Sequence, residues 1–112
     1  MGKTFAPPLL EKQETHGYSQ LYHVVLLDDD QHSYEYVVEM LQRLFVKSYE
    51  EAFRHACEVD SQGRTVIITC DLLAAEFSRD QVHSYGPDFR MPSSTTSMKA
   101  ILEPASGPDL ME

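Results

Sequence analysis

Positive charge is scarce in this chain: 9 Lys and Arg stand against 18 Asp and Glu in 112 residues, a net charge of −9 with His neutral. Phosphate backbones and anionic membranes repel such a surface, so neither nucleic acid nor membrane is expected as a partner. Cationic ligands, the ammonium group of a peptide among them, are favoured instead. Long apolar runs are also missing. The opening stretch MGKTFAPPLLEKQETHGYSQ holds nothing long enough for a signal peptide or a membrane helix. It misses the myristoylation pattern as well, because Ala6 stands where Ser or Thr is required. A soluble, cytoplasmic protein is the expectation. Cysteine is limited to Cys57 and Cys70, whose spacing matches no metal motif, so two reduced core thiols are expected. No internal repeat or low-complexity tract interrupts the chain.

What is present suffices for one small domain: 42% hydrophobic residues, with 5 Phe and 6 Tyr, argue against wholesale disorder. Residues 1–19 mix Pro, Gly, Lys, Glu and Gln without periodicity and read as a mobile N-terminal extension; residues 104–112 read as a C-terminal tail. The domain is placed at 20–103. Leu21–Leu27 is rich in β-branched residues and reads as a strand. From Ser33 the period turns helical, with Val37, Met40, Leu41, Leu44 and Phe45 on one stripe. Ser48 and Glu51 have capping-box spacing at the start of a second helix, whose buried side is expected to carry Ala52, Phe53, Ala56 and Val59. DSQG makes a turn, with Gly63 free to take positive φ. RTVIITC is the second strand, Asp71 caps a third helix, and Gly86-Pro87 ends it. A polar loop, Asp88 to Thr96, leads to a last strand at Ser97–Glu103 with alternating burial. The order β-α-α-β-α-β predicts an α+β fold: a small α/β sandwich with three helices on one face of a three-stranded antiparallel sheet.

The feature that most needs a reason is the run Asp28-Asp29-Asp30, where like charges crowd a strand-to-helix junction. Acids ahead of a helix are favoured by its macrodipole by roughly 0.3–1 kcal/mol each, but three exceed what capping needs. Carboxylates beside His32 suit a hard divalent ion, although their spacing follows no calcium-binding loop. Acid–base chemistry by the same groups lacks an accompanying nucleophile or oxyanion-hole motif. The remaining reading is an ammonium site, in which adjacent carboxylates share one cation through charge-assisted hydrogen bonds of roughly 1.5–3 kcal/mol each.

YHVVLLDDD, EYVVEMLQRLF, SYEEA and EVDSQGR together resemble the ClpS-type N-degron adaptors, which deliver proteins with certain N-terminal residues to a Clp-family unfoldase and protease. The resemblance runs from Leu21 through Gly63 to Tyr85 and resumes in ILEPA, after a loop longer than the family usually has. It implies a non-catalytic adaptor without cofactor or metal, acting as a monomer. Its partners would be N-degron peptides or proteins and the N-terminal domain of a Clp-family unfoldase. The family's α-amino-binding positions fall on Asp28, Asp29 and Asp60; Asp28 replaces the usual Asn, and Asp60 the usual His. The apolar pocket for the first side chain falls on His32, Tyr34, Val37, Ala56, Val59 and Met98. There, Tyr34 replaces a gating Met or Ile and Ala56 a larger side chain, so an altered residue preference is expected. The unfoldase-docking positions fall on Leu73 and Ser78, with Glu76 and Arg79 nearby. Two alternatives stand beside this reading: a diverged member that takes another cationic ligand, and a metal-dependent or acid–base enzyme built on Asp28–Asp30.

Overall fold

The computed structural model describes residues 20–105; the expected extension at 1–19 and the tail from 106 lie outside them. The chain runs β1 (Tyr22–Leu27), α1 (Tyr34–Phe45), α2 (Tyr49–Gln62), β2 (Arg64–Cys70), α3 (Leu72–His83) and β3 (Ala100–Pro104). β1 lies in the middle of an antiparallel sheet of order β2-β1-β3. This is the predicted α+β sandwich.

The pleat decides which residues meet the helices. Leu26 lies level with Thr65 on β2 and Ala100 on β3, and all three are buried. A register shift between Val24 and Val25 leaves Ile67 as an extra residue on β2, and this bulge turns it into the core. Val25, flanked by Val66 and Ile101, fills the opposite face. The helices close over the inner face with Tyr36, Val37, Met40, Leu41, Ala52, Ala56, Ala75 and Val82.

Each helix begins on an oxygen that accepts from its first turn. Ser33 caps α1 by accepting from the Tyr36 N–H, and Asp71 caps α3 from the Ala74 N–H. Ser48 and Glu51 form a reciprocal capping box on α2. α2 continues through Gln62 and stops at Gly63, whose φ of 88° gives a left-handed cap with its N–H on the Val59 carbonyl. DSQG is therefore mostly the last helical turn, and Asp60 sits on it.

Two expectations are corrected here. Phe53 is 41% exposed rather than core. Its place is taken by His55, buried with Nδ1 2.8 Å from the Thr65 hydroxyl, which donates in turn to Glu58 Oε1 at 2.6 Å. Burial, then the nearby Lys47 and Arg54, holds the His55 pKa below its ordinary value. The last strand begins at Ala100 instead of Ser97 and includes Pro104, while the Ala105 N–H donates to the Leu21 carbonyl at 2.8 Å. The folded domain thus extends two residues past the expected boundary at 103. The polar 88–96 loop carries one buried carboxylate: Asp88 is only 1% exposed.

Candidate functional site

Two backbone hydrogen bonds bring the acidic turn against the end of α2 and the start of β3. The Asp28 N–H donates to the Gly63 carbonyl at 3.0 Å, and the Leu27 N–H donates to the Lys99 carbonyl at 3.0 Å. The first sets Asp28 beside the last turn of α2, where Asp60 lies; the second sets Met98 beside the turn. Between them is a small cavity of about 40 Å³. Asp28, Asp29 and Asp60 line its polar side, and Val37, Ala56, Val59 and Met98 its apolar side. His32, Ser33 and Tyr34 complete the wall. All nine residues proposed from the sequence for the amine and side-chain sites line this one cavity. Ser33 is the added tenth, legible in the sequence as a helix cap but not as a wall. Asp30 is not among the lining residues.

Asp29 is held from two sides. Its Oδ1 accepts from the Gln31 N–H at 2.9 Å, an Asx turn of the kind aspartate favours. His32 Nδ1 lies 2.8 Å from the same oxygen. The His32 side chain is 2% exposed, and its Nε2 lies 2.7 Å from the Thr96 carbonyl. His32 thus acts as a strut between Asp29 and the 88–96 loop, with its ring tilted over Tyr36 at 4.5 Å.

Tyr34 reaches across the opening, its hydroxyl donating to Asp60 Oδ2 at 2.7 Å. That bond, with lesser help from desolvation, pushes the phenol pKa up to about 12, so Tyr34 remains a donor at any physiological pH. Desolvation is the main reason the Asp28 pKa is raised, and the charges of Asp60, Asp29 and Asp30 add to it. A cation placed among these carboxylates relieves the repulsion.

The loop behind the site is anchored by Asp88, which sequence reasoning missed. Its Oδ2 accepts from both the N–H and the hydroxyl of Ser33, each at 2.7 Å. Its Oδ1 accepts from the Arg90 N–H at 3.0 Å and the guanidinium at 3.1 Å. Burial opposes ionisation, yet these four donors outweigh it and hold the carboxyl near a pKa of about 2. Arg90 is near in sequence, but the two Ser33 donors that bury this aspartate lie 55 residues away in the chain.

No group of three His, Cys, Asp or Glu among the described residues is arranged to hold a metal ion. Both cysteines are free and half-buried. Of the docking residues expected on α3, Leu73 is exposed, while Glu76 and Arg79 are half-exposed. Ser78 is buried against the core, so it offers no surface to a partner. Leu72 and Phe77 are exposed on the same helix.

A family model described as ATP-dependent Clp protease adaptor protein ClpS matches residues 18–92. The chain belongs to the ClpS family. The ClpS of Vibrio cholerae serotype O1 is 32% identical over 93 residues, which cover 82% of this chain and 88% of that protein. The structure of Agrobacterium tumefaciens ClpS2 bound to L-phenylalaninamide superposes with a TM-score of 0.66 at 26% identity, covering 77% of this chain and 98% of that one. Human E3 ubiquitin-protein ligase UBR1 is 29% identical over 79 residues, 70% of this chain but 4% of the ligase. ClpS proteins are adaptors of a protease rather than enzymes, and the role of Clp protease adaptor follows for this chain. No described helix is long and apolar enough to cross a membrane.

Proposed function

We propose that the chain binds the free α-amino group and first side chain of N-degron substrates in the 40 Å³ cavity and hands them to a Clp-family AAA+ unfoldase. The observation that carries this reading is the convergence of Asp28, Asp29 and Asp60 on one side of a cavity whose other side is Val37, Ala56, Val59 and Met98. An ammonium offers three N–H donors to carboxylate acceptors. The apolar wall accepts the side chain on the same Cα. Ligand-bound A. tumefaciens ClpS2, whose ligand carries a free amine beside an apolar ring, supports this reading through its shared fold. Burying the side chain contributes about 1.5–3 kcal/mol. With two or three charged hydrogen bonds, less the cost of ordering, micromolar affinity follows.

The residue preference is altered in this proposal. A cavity of 40 Å³ is little more than the ~30 Å³ share of one liquid water, enough for the ammonium and few further atoms while Tyr34 is bonded to Asp60. Larger first side chains enter only if that bond opens. Ala56 adds depth, and Tyr34 narrows the mouth.

Isothermal titration with peptides that differ only in their first residue tests the assignment through two variants. Asp29→Ala should abolish binding, because Asp29 is the carboxylate locked in place by Gln31 and His32. Asp60→His should leave much of it. Equal tolerance of both changes would refute the assignment of the amine site.

A further inference from the structure

Beside the cavity lies a second, larger depression of about 300 Å³ between α1 and α2, lined by Tyr34, Tyr49 and Phe53 together with Val38, Glu39 and Arg90. The three rings form a continuous row. Tyr34 and Phe53 are tilted with centroids 5.9 Å apart, and Phe53 stacks on Tyr49 at 6.0 Å and 13°. All three are exposed: Tyr34 39%, Phe53 41% and Tyr49 57%. They are not needed by the core, since α2 turns Ala52, His55, Ala56 and Val59 inward instead. A contiguous exposed aromatic patch of this kind marks a binding surface.

Tyr34 is common to both spaces. Its hydroxyl closes the cavity over Asp60 while its ring begins the aromatic row, so the two spaces adjoin at this side chain. Same-side side chains of an extended peptide recur every ~6.6–7 Å, close to the spacing of the rings. Charge points the same way. Glu35 and Glu39 flank the groove, and its one cation, Arg90, is already paired with Glu39 at 2.7 Å and Asp88 at 3.1 Å. Apolar residues are welcome there and acidic ones are not.

We propose that this groove binds the substrate residues that follow the first and selects apolar side chains at the second and third positions. The proposal rests on the reading of the cavity as the N-terminal amine site. Its test is titration of the full chain and of Phe53→Ser with three probes sharing the best-binding first residue: its amide, a peptide continuing Gly-Gly, and one continuing Leu-Phe. In the unaltered chain the Leu-Phe peptide should bind about tenfold tighter than the Gly-Gly peptide. Phe53→Ser should erase that advantage and leave the amide and the Gly-Gly peptide unchanged. Amide binding with no Leu-Phe advantage would overturn this proposal alone. Failure of every free-amine probe would overturn the amine site and this extension with it. Self-association of the unaltered chain that Phe53→Ser abolishes, without discrimination among peptides, would assign the groove to a second copy instead.

Discussion

Replacing Asp88 with Ala should both destabilise the domain and loosen the candidate site. Asp88 accepts four hydrogen bonds, two from Ser33 and two from Arg90. Ser33 in turn caps α1, and the loop that Asp88 anchors also carries the Thr96 carbonyl that braces His32. A carboxyl held at a pKa of about 2 when the ordinary value is 3.8 contributes about 2 kcal/mol at neutral pH. Counting bonds leads to a similar figure of about 2–4 kcal/mol once the orphaned Ser33 donors are included. The folded-state pKa lies below the unfolded one. The contribution is therefore complete above the unfolded value of 3.8 and disappears as pH falls through about 2. Urea unfolding followed by circular dichroism should show a lower midpoint for Asp88→Ala with unchanged slope, and a shallower loss of stability between about pH 4 and 2 than in the unaltered chain. A change below about 0.5 kcal/mol at pH 7, or an acid limb as steep as before, would refute the reasoning, since surface residues commonly give that little.

Other consequences are as direct. Tyr34→Phe keeps the ring but removes its bond to Asp60, so it should widen the range of first residues accepted in a peptide panel; an unchanged ranking would argue against a latch at the mouth. The raised pKa of Asp28 predicts weaker ammonium binding as pH falls into the carboxylate range, with proton release on binding detectable by calorimetry in buffers of different ionisation enthalpy. Val46 ends α1 at φ 54° and is 90% exposed, a strained conformation for a β-branched residue; Val46→Gly should raise stability by about 1 kcal/mol in urea unfolding. Leu73 and Phe77 are exposed on α3, so Leu73→Asp with Phe77→Asp should weaken capture by an unfoldase N-terminal domain in a pull-down while leaving the melting temperature in place.

Much of this molecule was readable before any coordinates. β1, the apolar stripe of α1, the capping box at Ser48 and Glu51, and the Gly63 cap all rest on local signals, either periodicity or a short-range hydrogen bond. The residues around the cavity were legible in another way, through the family pattern on Asp28, Asp29 and Asp60. What escaped depends on partners distant in the chain. Phe53 and His55 both fall near the boundary of α2's apolar face; the choice between them is made by Thr65, which gives the histidine ring a partner inside the core. Asp88 looked like loop aspartate because Ser33 and Glu39, the latter through Arg90, lie far upstream. The Tyr34–Asp60 bond likewise joins two helices, and nothing near either residue announces it.

The central claim is that the carboxylates of Asp28, Asp29 and Asp60 cradle a free α-ammonium. Fluorescence anisotropy with a set of peptides differing in their first residue, each prepared with a free and an acetylated N-terminus, tests it most directly. Micromolar binding of some free peptides and none of their acetylated twins is the predicted result. Equal binding of free and acetylated twins, or no binding by any peptide, would contradict it.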